Sequence, residues 1–181
     1  MTAAAPAVFK SCGDCSLCCK ALAVPEIGKL AGSWCRHFSE GVGCSIHAER
    51  PSSCKSFQCV WTATDALGED WRPDRCRLVV WSDHPGRIVI DPDPAHPEAW
   101  RHEPFHSQIK SWSVREGSDW HEVVIRVGGQ VIVVFPEAEI DIGPIQPGHR
   151  IDSGYRVEDG RRVPFARFGA LISSGVTLQG S

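Results

Sequence analysis

Eight of the nine cysteines fall between Cys12 and Cys59, and four of them form the run Cys12, Cys15, Cys18, Cys19, a CxxCxxCC string. A CxxC pair bends the backbone into a knuckle that aims two thiolates at one metal, the spacing of tetrahedral zinc and of iron–sulfur ligation. Here the knuckle is doubled, and the neighbouring Cys18 and Cys19 side chains are expected to leave the backbone in different directions. One mononuclear site takes both only with a strained backbone, so the run implies at least two metal positions or one polynuclear cluster. Cys35, Cys44, Cys54 and Cys59 follow, the last three within GCSIHAERPSSCKSFQC, and eight thiols suffice for two four-thiolate sites.

Burial alone does not hold such a segment together. It has few large aliphatic side chains, and a domain of that size needs metal or disulfide staples. Metal binding worth about 10 kcal/mol supplies the deficit. Which staple is used depends on the compartment. Met1 to Ser11 holds one Lys and a short Ala/Pro stretch with no apolar h-region, and no window reaches the roughly 18 apolar residues of a membrane span. The expected address is the cytoplasm, where a cysteine cluster reads as a metal site rather than a disulfide framework. A redox-active reading of the thioredoxin kind needs a CxxC in a βαβ context, and none is visible.

The 181 residues, 42% of them hydrophobic, are enough for one medium domain or two small ones with a real core. A net charge of −3 with scattered Lys and Arg gives no basic field, so nucleic acid is not an expected partner, and neither is a membrane. Lys10, Lys20, Arg36, Arg50 and Lys55 lie beside the cysteines, where they either depress thiol pKa values and favour ligation or serve as ordinary exposed bases.

Composition shifts near Trp61. Before it, PEIGKLAGSW at 25–34 spaces Ile27, Leu30 and Ala31 like a short amphipathic helix with Pro in its first turn, and a second short helix is expected from Ser45 to Arg50, ended by Pro51. Trp61 to Asp74 reads as a connecting loop. Beyond it the patterns turn to β. Arg75–Trp81 and Arg87–Ile90 flank the turn-like SDHPG, Glu122–Val127 and Gln130–Phe135 flank Gly128-Gly129, and a weaker hairpin spans Tyr155–Phe165 around Asp159-Gly160. Pro97–Val114 reads as helix with a break at Pro104. No internal repeat is present. The expected fold is α+β: a metal-stapled Cys-rich module over residues 1–62, a largely antiparallel β unit with one or two helices over 63–172, and a flexible tail over 173–181.

CGDCSLCC at Cys12–Cys19, the single Cys35 after EIGKL, and GCSIHAERPSSCKSFQC with its Arg50-Pro51 pair together resemble the CxxCxxCC family, the YkgJ-type cysteine cluster family described as a zinc- or iron-chelating domain. The resemblance covers about the first third of the chain. It implies Cys12, Cys15, Cys18, Cys19, Cys35, Cys44, Cys54 and Cys59 as metal ligands. Where the family usually carries Tyr, this chain has His47, at CxxH spacing from Cys44. Because that family position is not a ligand, His47 reads as structural, with ligation the minor alternative, and His37 ranks below it. Arg50 is expected to donate to carbonyls or sulfur and hold the second cysteine loop.

The remaining signals are weaker. His102-Glu103-Pro104-Phe105-His106 matches the HExxH string of zinc proteases, but Pro104 denies both histidines one uninterrupted helix. Asp91, Asp93, Glu98 and Glu103 lie near His96 and His102 as candidates for a hard-metal or acid/base patch, but Asp91-Pro92-Asp93-Pro94 reads instead as a rigid acidic turn. Trp61, Trp71, Trp81, Trp100, Trp112 and Trp120 suit a core or interface better than base stacking. Cys76, preceding LVV, reads as a buried thiol. The function expected is metal binding, with two zinc ions in structural sites that fix loops for an unidentified protein partner and no defined catalysis, since a closed four-thiolate site leaves no place for substrate. Two alternatives stand beside it. One is an iron or iron–sulfur protein in redox or oxidative modification, and the other is metal storage or delivery.

Overall fold

The computed structural model describes residues 10–114 and 122–171. Among them the chain is α+β, with five α-helices and nine strands whose pairings are antiparallel except one. The Cys-rich part carries α1 (Cys18–Ala21), the small hairpin β1 (Phe38–Ser39) and β2 (Gly43–Cys44), then α2 (Ser52–Ser56) and α3 (Val60–Ala63). After α4 (Pro73–Cys76) comes a five-stranded sheet of β3 (Leu78–Trp81), β4 (Arg87–Pro92), β5 (Glu122–Val127), β6 (Gln130–Val134) and β7 (Glu139–Pro144), paired in that spatial order.

Turn chemistry sets three of the pairings. The β5–β6 hairpin closes on Gly128 and Gly129 with φ of 58° and 80°, the two positive values a type I′ turn requires. The hairpin of β8 (His149–Glu158) and β9 (Arg161–Leu171) uses Asp159 and Gly160 in the same way, with φ of 49° and 74°. The β3–β4 pair forms around residues 82–86 as expected, although Arg75 and Cys76 belong to α4 and β4 runs on to Pro92. Only β4 and β5 run parallel, and their crossover contains a 3₁₀ turn (Ala99–Arg101) and α5 (Phe105–Trp112). The helix expected over Pro97–Val114 is therefore interrupted, and Pro104 sits at the start of its second part.

Alternation along the strands puts Leu78, Val80, Ile88, Ile90, Val123 and Ile125 on one face, against Trp61, Leu67, Trp71, Cys76, Trp100 and Ile109. Val79, Val89, Val124 and Val133 point to the other face and are also buried. A sheet covered on both sides explains why LVV, IVI and VVI read as continuous apolar runs. Leu17 and Ala21 of the cysteine run cover Val79, with Phe57 and Trp81 beside them. The β8–β9 ribbon lies near β6: Tyr155 meets Phe135 edge to face at 5.4 Å, and its hydroxyl donates to Glu137.

Three expectations are corrected. Residues 25–34 do not form an amphipathic helix. A 3₁₀ turn over Pro25–Ile27 ends at Gly28, φ 64°, the chain closes through Val24 and Lys29, and Leu30 is 75% exposed. The left-handed glycine stops the helix after one turn. The second helix lies after Pro51 rather than before it, because proline fits a helix start, and the Glu26 carboxylate accepts from the Ser53 N–H and hydroxyl there at 2.9 and 2.8 Å. The stretch from Trp61 to Asp74 is not a plain loop. It holds α3, a 3₁₀ turn over Glu69–Trp71 and the start of α4, and it contributes Trp61, Leu67 and Trp71 to the core. Of the tryptophans, Trp61, Trp71 and Trp100 are buried, Trp81 and Trp112 partly so, and Trp34 is half-exposed; Trp120 and the tail 173–181 lie outside the described residues.

Candidate metal centre

All nine cysteines carry free thiols. The first knuckle is a tight turn in which the Cys15 N–H donates to the Cys12 carbonyl at 2.9 Å, and Gly13 supplies the positive φ of 54° that its first central position needs. Asp14, beside that glycine, pairs with Arg72, which also contacts Asp74 and lies over the Trp61 ring at 6.0 Å. The knuckle is thus fastened to the main core from outside. Cys18 and Cys19 open α1, and the Cys35 N–H donates to the Cys19 carbonyl at 2.9 Å. Three residues on, Phe38 stands opposite Cys44 in the β1–β2 pair. Cys54 lies in α2, and buried Cys59 precedes the first turn of α3 with its sulfur 3.5 Å from the Thr62 hydroxyl.

The thiols interact electrostatically as neighbours. Burial pushes Cys12 up, although the residue as a whole is exposed, and the Cys59 charge adds to it. Burial likewise raises Cys15 and Cys54. Cys18 is raised first by its hydrogen bond with Cys19 and then by burial, and the same bond pulls Cys19 down, helped by Lys29 and Arg50. The two adjacent thiols therefore meet rather than point fully apart, which corrects the expectation. Beyond each other, Cys18 faces Cys15 and Cys12, while Cys19 faces Lys29 and Arg50.

Among the described residues no three His, Cys, Asp or Glu side chains stand at metal-holding distances. The donor chemistry fits a soft or borderline cation: eight thiols in one part of the fold, with cations among them. The flanking bases divide. Lys10 donates to the carbonyls of Thr64 and Leu67, Lys20 pairs with Asp93, and Arg36 bonds His37, so none of these three lowers a thiol as its main partner. Arg50 does act on Cys12 and Cys19, and it donates to His47 Nε2 at 2.7 Å. Because guanidinium only donates, that contact occupies the His47 Nε2 lone pair. His37 Nε2 accepts from Arg36 in the same manner.

Lys29 is the residue the sequence does not reveal. It is 8% exposed, and its ammonium donates to the carbonyls of Lys20, Leu22 and Leu30. Burial pushes its pKa down, against the opposing pull of Cys35, Cys19, Cys18 and Cys54. A helix over 25–34 gives it no such role; only the Gly28 turn folds it inward.

The other candidates are drawn into structural work. His102 precedes α5 while His106 lies within it, and His106 Nε2 is 2.7 Å from Glu139, so the HExxH string presents no shared face. Asp91 and Asp93 are buried and ion-paired, and the His96 N–H closes a turn on the Asp93 carbonyl at 2.7 Å. Asp91 takes a two-pronged contact from Arg126 at 2.9 and 2.8 Å plus the Trp81 indole at 2.7 Å, and Asp93 faces Lys20, Arg77 and His96. Cys76 is buried, with its thiol pushed up to about 12 by desolvation. No helix among the described residues is long and apolar enough to cross a membrane. No family model, curated protein or solved structure matches this chain.

Proposed function

We propose that this chain is a metal-binding protein of the CxxCxxCC, YkgJ-type kind, holding two zinc ions through Cys12, Cys15, Cys18, Cys19, Cys35, Cys44, Cys54 and Cys59. The observation that supports the reading is the gathering of eight free thiols in one part of the fold, where the Cys15 N–H bonds the Cys12 carbonyl, the Cys35 N–H bonds the Cys19 carbonyl, and Phe38, bonded back to Cys35, stands opposite Cys44. The reducing cytoplasm is the compartment this chemistry suits, since thiols persist there as ligands. The sites act as staples: the loops of residues 22–50 have little apolar burial of their own, and zinc ligation contributes folding free energy directly. Closed four-thiolate coordination assigns no catalytic role. The fixed loops present Leu30, Trp34 and Val42, all exposed, to a protein partner.

A second reading is favoured by the contact between the adjacent Cys18 and Cys19 thiols, which suits a polynuclear iron–sulfur centre. Purification without oxygen, followed by elemental analysis and an absorption spectrum, decides between them. A colourless protein with two zinc ions per chain supports the first reading. A brown protein with iron and acid-labile sulfide overturns it in favour of the second.

A further inference from the structure

We infer that the outer face of the β8–β9 ribbon is a docking surface for an extended acidic peptide, with Arg150, Arg156, Arg161 and Arg167 meeting its carboxylates and Phe165 seating an apolar side chain between them. The surface uses none of the cysteine loops and does not rest on the metal reading.

Strand alternation gathers these arginines. Residues 149–171 hold five Arg against three carboxylates, in a chain whose net charge is −3. Asp152 stands opposite Arg167, Gly154 opposite Phe165, Arg156 opposite Val163 and Glu158 opposite Arg161, and directly paired residues share a face. The intervening pairs, Ser153 with Ala166, Tyr155 with Pro164 and Val157 with Arg162, take the other face. That second face is held by the body of the fold: Tyr155 meets Phe135 and Glu137, and the Ser153 hydroxyl donates to Glu122. Arg156, Arg161 and Arg167 are therefore turned outward, and all three are exposed.

Arg150, also exposed, reaches the same face across the register shift near Ile151. Its side chain lies against Gly169, where an added Cβ would stand 3.1 Å from Arg150 Cγ, and it lines a shallow hollow of about 600 Å³ with Asp152 and Arg167. A second hollow of about 320 Å³ continues from Arg167 to Arg156 and Phe165. The two together make a groove along the ribbon.

The face already binds carboxylates of its own. Arg167 donates to Asp152 from Nε and Nη2 at 3.1 and 3.0 Å, and Arg156 Nε lies 2.7 Å from Glu158. The Arg156 guanidinium also lies 5.9 Å over the Phe165 ring. Among the described residues no carboxylate pairs with Arg150 or Arg161, so both ends of the face carry uncompensated positive charge.

This pattern favours a peptide over a nucleic-acid strand. A phosphodiester backbone bears a charge at every nucleotide and runs its phosphates past Asp152 and Glu158, whereas a peptide sets acidic side chains at the arginines alone. Same-face positions of the ribbon recur about every 7 Å, which is also the repeat of alternate side chains in an extended peptide. The guanidinium fork matches a carboxylate, and partly buried Phe165 offers the apolar seat at the centre.

Fluorescence anisotropy of the full chain tests the assignment, with a short fluorescein-labelled peptide in which Glu alternates with Thr and the central Glu is replaced by Leu. The same peptide with Gln for Glu and a labelled oligothymidylate serve as the comparison probes. The Glu peptide should bind saturably and more weakly as salt rises, and the Gln peptide should not bind. Arg150→Glu and Arg161→Glu should each weaken binding about fivefold. Arg162→Glu, the same charge change on the neighbouring residue but on the other face, should leave the affinity unchanged. All three side chains are exposed, so each variant should keep the wild-type circular dichroism. Absence of saturable binding by the Glu peptide, equal binding of the Gln peptide, or equal losses in Arg161→Glu and Arg162→Glu would overturn the assignment. Tighter binding of the oligothymidylate than of the Glu peptide would overturn it in favour of nucleic acid.

Discussion

At the scale of single residues, Lys29 and Asp91 show how much one buried polar group depends on its partners. The Lys29→Met variant leaves three carbonyls without their charged donor, each such loss costing about 1–3 kcal/mol, and removes the cation facing Cys35, Cys19, Cys18 and Cys54. The expected outcome is a lower thermal midpoint together with weaker zinc retention, read by elemental analysis after dialysis against a mild chelator. Arg50 acts on Cys12 and Cys19, so in the proposed metal reading Arg50→Glu should lower metal content as well; retention of both metal and fold would show that Arg50 is only an exposed base. His47→Ala, in contrast, should leave the zinc count unchanged, because the Nε2 lone pair is already committed to Arg50. Asp91→Asn weakens a buried two-pronged ion pair and should cost about 1.5–3 kcal/mol, measured as a shift of the denaturant midpoint.

At the scale of elements, hairpins follow from local chemistry and short helices do not. Gly129→Val forces a β-branched residue into left-handed backbone in the β5–β6 turn, with an expected loss of about 1–2 kcal/mol by denaturant titration. Glu139 ties β7 to the crossover. Burial raises its pKa, but His106 and then Arg101 outweigh that and leave it below the usual glutamate value. A carboxyl with a depressed folded pKa stabilises the fold above its unfolded pKa and loses that contribution as pH falls through the lower folded value. Acid titration of stability should therefore show a limb below the ordinary glutamate range, and Glu139→Gln should flatten it. The Gly128-Gly129 and Asp159-Gly160 turns were legible because positive φ at two adjacent positions admits few residues. The Trp61–Asp74 stretch was not, because its four-residue and three-residue turns have no period of their own and are held by Trp61 and Trp71 packing into the core.

At the scale of the whole molecule, two kinds of cohesion meet. Strands β3 to β6 are buried on both faces and rest on apolar packing, whereas residues 22–50 depend on short backbone contacts and, in the proposed function, on metal. Chelation is expected to expose the first third of the chain to protease while the sheet resists. Unchanged proteolysis and circular dichroism after complete metal removal would remove the structural role of the metal.

The cysteine spacing by itself marked the eight thiols from Cys12 to Cys59 as candidate ligands, because ligand type and turn geometry are local properties. Short apolar runs bounded by turn residues likewise marked the strands and, with the turn glycines, the α+β class. Only the tertiary structure decided what surrounds the thiols, since the Gly28 turn folds Lys29 inward beside Cys35, Cys19, Cys18 and Cys54, and Glu26 reaches Ser53 at the start of α2. The same holds for Asp91 and Asp93, which read as a rigid acidic turn with no partners until Arg126 and Lys20 are placed beside them. Partnership across the fold depends on long-range packing, and no spacing within one segment encodes it.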